Sequence, residues 1–270
     1  MSAARGEAFR ALHAGPPFLI PNPWDAGSAL VLEQLGFRAL ATTSSGFAFT
    51  LGRRDGAVTL DELCAHVRAL SSACALPVSA DIENGYGPGA EDAARAVAAI
   101  AQAGAAGGSI EDWDAERGIY PVEQAAERIA AAAAAARGAG FPFTLTARAE
   151  NHIRGNPDLE DTIGRLQAYE AAGADVLYAP GLRTVEEIRA VCSAVSKPVN
   201  VLARPDLSFA DIVTAGAQRV SVGGALTWVA AGALRAAGER LLAGDLSALQ
   251  GASPPSVLPS GRDATTIQDG

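Results

Sequence analysis

Cysteine is scarce in this chain: three residues, Cys64, Cys74 and Cys192, among 270. They form no Cys-x-x-Cys pair, and an odd count makes a poor disulfide framework, so a reducing cytoplasm is expected. Histidine is equally sparse. His13, His66 and His152 have no partners at metal-ligand spacing and read as helix-face or loop residues, with only His152 near the candidate site. Basic residues are outnumbered 21 to 30 by acidic ones, which excludes the clustered positive charge that nucleic acids and anionic membrane surfaces select. No uncharged apolar run of about 20 residues exists, so no transmembrane helix is expected. The amino terminus has no apolar segment followed by a cleavage site, so no export signal is expected either.

What is abundant is apolar and small. Hydrophobic residues make up 49% of the chain and charged residues 19%, a balance that supports a buried core and argues against disorder. Short apolar runs alternate with Ala-rich amphipathic stretches. The runs are Phe18–Pro21, Ala39–Thr43, Pro77–Ile82, Gly108–Glu111, Phe143–Ala147, Val176–Ala179, Pro198–Leu202 and Arg219–Val222. Helical patterns separate them at Ala26–Leu35, Leu60–Ala73, Ala90–Ala103, Val122–Arg137, Leu159–Ala172, Val185–Val195 and Phe209–Ala215, and an eighth runs from about Leu226 to Leu242.

Local signals support these boundaries. Thr59 with Glu62 and Thr184 with Glu187 have capping-box spacing. Gly36, Gly104, Gly173 and Gly216 each follow a helical stretch, where a left-handed C-cap favours glycine. Strands separated by helices pair in parallel through right-handed crossovers, and continuous apolar runs suit strands buried on both faces. Eight such units close into a (β/α)8 barrel of the TIM type. The alternative, an open doubly wound sheet, would want a Gly-x-Gly-x-x-Gly turn after the first strand, and none is present. Residues 1–250 are expected to form one barrel domain, and the Pro-, Ser-, Gly- and Asp-rich segment 251–270 a flexible tail or lid.

A barrel carries its site at the carboxyl ends of its strands. There the sequence places Asp55, Asp81, Glu83 and Glu111, contributed by three adjacent strand ends. Carboxylates gathered at one mouth repel one another unless a cation neutralises them. Oxygen donors without nearby His or Cys select a hard ion, Mg²⁺ or Mn²⁺, with one direct carboxylate and others acting through water. Arg148 faces the cluster and can grip an anion in bidentate fashion. The turn Thr42–Gly46, with Thr43, Ser44 and Ser45, offers amides and hydroxyls to a carboxylate. Asn200 ends the seventh strand and is a further candidate for the substrate. The same acids could instead pair with Arg148 and cap loops without any metal.

Together these residues resemble the isocitrate lyase/phosphoenolpyruvate mutase family. The likeness runs from Pro21 to about Leu242. It is most specific at Asn22-Pro23-Trp24-Asp25, Thr42–Asp55, Asp81–Gly87 with its Gly-Tyr-Gly, Ser109–Asp112 and Thr146-Ala147-Arg148. The run Asp81-x-Glu83-x-Gly-Tyr-Gly is similar to the family's Asp-x-Asp-x-Gly-Tyr-Gly metal motif. The resemblance implies that Asp81 holds Mg²⁺ directly, that Glu83 and Glu111 hold it through water, and that Asp55 brackets the site. It also implies that Arg148 binds a substrate carboxylate or developing oxyanion, and that the amides of Thr43, Ser44 and Ser45 bind a 2-oxo acid.

The implied activity is lyase chemistry: a C–C bond in a small 2-oxo or 2-hydroxy carboxylic acid made or broken through a metal-stabilised enolate, with Arg148, Asp55 and Glu111 as the catalytic residues. The implied assembly is a homodimer or homotetramer that exchanges its eighth helix. One departure bears on the reaction. Lyases of the family carry a Lys-Lys/Arg-Cys-Gly-His loop after the fourth strand, and phosphonate-processing members a Lys and an Asn. This chain has Trp113–Tyr120 there, with none of these, and Pro180 stands where Glu or His is usual at the sixth strand end. Glu116, Arg117 or Tyr120 are the available substitutes for gating or proton transfer. The competing expectations are a C–P mutase or hydrolase, an oxaloacetate hydrolase or decarboxylase, and a 2-oxo acid binding protein without turnover.

Overall fold

The computed structural model describes residues 2–252. Eight parallel strands pair in the order β1-β10-β9-β8-β7-β4-β3-β2. They are β1 (Phe18–Ile20), β2 (Leu40–Ala41), β3 (Val78–Asp81), β4 (Gly107–Glu111), β7 (Thr144–Arg148), β8 (Val176–Tyr178), β9 (Val199–Leu202) and β10 (Arg219–Ser221). Between them lie α2 (Ala26–Gln34), α3 (Ser44–Thr50), α4 (Leu60–Ala73), α5 (Ala90–Gln102), α6 (Val122–Arg137), α7 (Leu159–Ala171), α8 (Val185–Ala194) and α9 (Phe209–Thr214), with α10 (Ala225–Leu242) last. This is the expected (β/α)8 barrel.

The barrel closes between its first two strands by few bonds. Ala41 N donates to Pro21 O at 3.1 Å. Asn22 completes the seam. Its Nδ2 donates to Thr42 O at 2.9 Å, while its Oδ1 accepts from Val222 N and Gly223 N. One buried amide thus ties the ends of β1, β2 and β10 together at the carboxyl rim.

The punctuation operates as its chemistry dictates. Both capping boxes form, at Thr59/Glu62 and Thr184/Glu187. The four C-cap glycines all adopt positive φ, from 90° at Gly36 to 113° at Gly216, a region costly for residues with a Cβ. The layer between sheet and helices is filled by small side chains, including Ala93, Ala96, Val97 and Ile100 of α5 and Ala125, Ile129, Ala132 and Ala133 of α6. This is why the Ala-rich segments are helices packed close to the sheet.

Three elements depart from expectation. An amino-terminal helix, α1 (Ser2–Leu12), places the buried Phe9 with Phe18 and Ile20 of β1. The segment Thr42–Gly46 is the start of α3 rather than a free turn: Thr43 is its N-cap and accepts from Gly46 N. The stretch after β4 is a tight antiparallel hairpin, β5 (Trp113–Asp114) with β6 (Gly118–Ile119), and not an open loop. The tail expected from Gly251 onward lies, beyond its first two residues, outside the described residues. Among the described residues no helix is long and apolar enough to cross a membrane.

Candidate active site

Asp81 ends β3 and Arg148 ends β7, on the two sides of β4. Arg148 Nη1 donates to Asp81 Oδ1 at 2.9 Å. Its Nη2 lies 3.1 Å from Glu111 Oε2, and Nε and Nη2 donate to Glu150 Oε1 at 3.0 and 2.7 Å. The ring of Tyr178 lies under the guanidinium, 5.3 Å from centroid to Cζ. Burial alone would weaken the proton's hold on Arg148, but the carboxylates of Glu150, Glu111 and Asp81 outweigh it and raise the affinity well above the usual value. Arg148 is therefore a permanent cation whose direction is fixed from three sides.

The acids around it are under strain of charge. Glu83 takes a left-handed backbone, φ 47°, which a residue with a side chain adopts at a cost. The turn is held because Glu111 N donates to Glu83 O at 2.9 Å. The buried Arg128 of α6 adds hydrogen bonds to the carbonyls of Asn84, Gly87 and Gly89. The carboxyl of Glu83 has one buried oxygen, Oε1, with no partner. Burial first, then repulsion from Asp81 and Asp55, push it up to about 8, with Arg148 pulling the other way. Asp55 is exposed as a residue yet lines the cavity. Partial desolvation and Asp81 raise its carboxyl, while the Ser44 hydroxyl and Arg148 lower it. Glu111 is raised as well, by burial ahead of Glu150 and Asp81, against Arg148.

Asp55, Asp81 and Arg148 rim a cavity of about 260 Å³ inside the carboxyl end of the barrel, whose lining does not include Glu83 or Glu111. Thr43, Ser44, Ser45, Asp55, Asp81, Arg148 and Asn200, all expected at the site, line it. The amide of Ser44 donates to Asp81 Oδ2 at 3.2 Å, so the start of α3 and the end of β3 are already joined. Thr42 Oγ1 accepts from Asp81 N at 2.8 Å.

Several site residues were not expected. Glu150 follows Arg148 in the chain and is fully buried as its nearest counter-ion. Arg154 stacks on the Trp113 ring at 3.5 Å and reaches Glu150 at 3.2 Å and Glu111 at 3.6 Å. Asp112 anchors this group by accepting from Glu150 N, Tyr169 and Arg165. The one available signal was two further charges, Glu150 and Arg154, in the segment after β7.

Of the three hairpin residues expected as substitutes, Glu116 and Arg117 are exposed and Tyr120 is buried, and none of them lines the cavity. Asp114 accepts from Glu116 N, Arg117 N, Asn84 Nδ2 and the Tyr120 hydroxyl, which closes the hairpin on itself. Tyr120 is buried in that network and holds structure together.

A barrel with a polar, acid-rimmed cavity at its carboxyl face, and a fixed arginine within it, is the frame of an enzyme for small organic anions. Residues 9–242 match the phosphoenolpyruvate phosphomutase family. The chain belongs to that family, the isocitrate lyase/phosphoenolpyruvate mutase enzymes. An oxaloacetate decarboxylase from Bradyrhizobium diazoefficiens is 32% identical over 265 residues, 94% of this chain and 88% of its own length. The crystal structure of a candidate lyase/mutase from Burkholderia cenocepacia J2315 shares 51% identity at a TM-score of 0.90, covering 94% of this chain and 93% of that one. Phosphonopyruvate hydrolase, solved with oxalate and Mg²⁺, shares 26% identity at a TM-score of 0.83 over 93% of this chain and 92% of its own.

Proposed function

We propose that this chain is a divalent-metal-dependent lyase that breaks or forms the C–C bond beside the carbonyl of a small 2-oxo acid, with oxaloacetate as the first substrate to test. The carrying observation is the Glu83 carboxyl: desolvated, short of a partner at Oε1, and crowded by Asp81 and Asp55 across from Arg148. Such a group asks for a second cation besides Arg148. Every donor is oxygen, which fits Mg²⁺ or Mn²⁺. Among the described residues no three His, Cys, Asp or Glu side chains gather as a direct ligand cage. The family likeness makes Asp81 the direct ligand and has Glu83 and Glu111 hold the ion through water, an arrangement that suits an ion keeping most of its water.

Bound there, the ion would supply Lewis-acid polarisation of a 2-oxo group. The rest follows from the chain itself. The guanidinium of Arg148 is fixed before substrate arrives, so it can stabilise negative charge on a developing oxyanion without reorganising. The amides of Thr43 and Ser45 and the hydroxyls of the same turn offer donors to the substrate carboxylate, while the Ser44 amide is held by Asp81. Asn200 Nδ2, bonded at 2.9 Å to Ser221 Oγ, adds a donor deeper in the cavity. At about 260 Å³ the cavity lies below the range of drug-sized sites, which favours a compact acid. The hairpin after β4 carries neither Cys nor His, so the reaction favoured is one that needs no thiol acid. Loss of CO₂ from a 2-oxo acid's β-carboxylate qualifies, because the electron pair of the broken bond passes to the 2-oxygen and water supplies the later proton.

We place α10 in the same proposal as an exchanged helix. Of its 18 residues only Thr227 is buried, while Trp228, Val229, Leu234 and Leu242 are exposed. A second copy of this chain is the occupant that suits such a helix, in a homodimer or homotetramer.

The test is turnover of oxaloacetate and, in parallel, phosphonopyruvate, with and without Mg²⁺, on the purified protein and on Asp81→Ala. Mg²⁺-dependent pyruvate formation from oxaloacetate, lost in Asp81→Ala, is the expected result. Turnover of phosphonopyruvate alone would move the assignment to C–P chemistry. Binding of oxo acids without product would make the chain a binding protein.

A further inference from the structure

The lumen of a (β/α)8 barrel is ordinarily packed with branched apolar side chains. Here it holds Ser79, Thr146, Asn200, Arg219 and Ser221, all buried. Arg219 opens β10 and is only 4% exposed. Its Nε donates to Asn200 Oδ1 at 2.8 Å, and its Nη2 donates to Thr146 Oγ1 at 3.0 Å. Its Nη1 lies 3.1 Å from Nε2 of His13, whose Nδ1 is 2.9 Å from Phe9 O. One tautomer satisfies both contacts: Nδ1 carries the proton and donates to Phe9 O, and Nε2 accepts from Arg219. Burial first, then Arg219, push His13 down to about 3, so the imidazole stays neutral.

All three acceptors on Arg219 are thus uncharged. Among the described residues no carboxylate lies within ion-pair distance of it. Burial lowers its proton affinity to about 10, which still leaves it charged at neutral pH. A buried, unpaired guanidinium is costly, and such groups persist where function repays the cost. Arg219 lines the same cavity as Arg148. The two guanidinia differ in one respect: Arg148 is neutralised by three carboxylates, whereas the charge of Arg219 is uncompensated.

We propose that Arg219 is a specificity-determining residue, whose unpaired charge at the floor of the cavity makes the site select a dianion, a dicarboxylate, over a monoanion of the same shape. It also positions Asn200: by occupying Oδ1 it leaves Nδ2 as the amide's donor toward Ser221 and the cavity. The inference deepens the proposed function and rests on the cavity being the oxo-acid site. Arg219 acts through field and through Asn200, so its mark is on selectivity.

The experiment uses oxalate, a dianion, and oxamate, a monoanion of nearly the same shape, titrated calorimetrically into the full-length protein with Mg²⁺ present. Arg219→Gln is expected to weaken oxalate by about tenfold or more, as loss of one charge at cavity distance implies, and oxamate by less than about threefold. Arg219→Lys, which keeps the charge, is expected to keep the preference. Melting of Arg219→Gln at or above the wild-type temperature would further support the assignment, because a structural arginine would lower it. Equal weakening of both anions, or an unchanged ratio, overturns the proposal. If Arg219→Gln does not fold, Arg219→Lys decides by keeping or losing the preference. Wild-type protein that binds neither anion would instead overturn the proposed function itself.

Discussion

Arg148 Nη1 lies 2.9 Å from Asp81 Oδ1, so the site's fixed cation and the acid proposed to hold the metal form one unit. The pair bridges the ends of β3 and β7 across β4, and it orients each partner for the other's task. Asp81 keeps a second oxygen, Oδ2, which accepts from Ser44 N. Arg148 keeps its hold on Glu150 and Glu111.

Replacing Arg148 separates its two roles. Arg148→Lys keeps a charge but loses the fork that spans three carboxylates, and kcat/KM should fall by about 10²–10³-fold. Arg148→Met should also destabilise the fold by about 3–5 kcal/mol, because Glu150 is left buried with its nearest counter-ion gone. Steady-state kinetics and urea unfolding read the two effects independently.

Glu83 predicts a pH dependence with a definite sign. Its carboxyl rises from the usual 4.5 to about 8 on folding. The native state therefore holds a proton that the unfolded chain has released, and stability from this group is complete below 4.5 and lost as pH rises through about 8. Metal-free protein should lose up to roughly 5 kcal/mol across that window relative to Glu83→Gln. Adding Mg²⁺ near pH 7 should restore stability to the wild type and release a proton, seen as buffer-dependent heat in calorimetry. A wild type and Glu83→Gln with parallel melting curves across the window would refute this.

Thiol reagents should leave activity intact. The three cysteines lie outside the site, Cys64 and Cys74 are buried, and burial raises all three thiols, Cys192 to about 11. Iodoacetamide at neutral pH should label native protein slowly and without loss of turnover. Inactivation that tracks the labelling of one cysteine would contradict the assignment.

The apolar face of α10 should set the assembly. Leu234 is 74% exposed and Val229 69%. Leu234→Asp costs little within one copy but places a charge in the proposed contact. Sedimentation should shift toward the monomer, and activity should fall if the exchanged helix supports the site. An unchanged sedimentation coefficient would rule out this face as the contact.

The sequence by itself determined the barrel and most of its rim. Apolar runs at helix-spaced intervals, glycines at Gly36, Gly104, Gly173 and Gly216, and two capping boxes are local signals, and local chemistry carries them into the fold unaided. Asp55, Asp81 and Arg148 were legible because strand ends in a barrel converge by construction. What only the tertiary structure decided is pairing and burial. Thr43 became a helix cap because α3 packs against the rim, with Gly46 fitted against Thr227 and Trp24 where a Cβ would clash. Glu150 became a buried counter-ion because Asp112, from a neighbouring strand end, captures its amide. Arg219 and His13 stand 206 positions apart and meet only because α1 folds under the first and last strands. Charge and desolvation depend on what lies across the barrel, and that information is absent from any single stretch of chain.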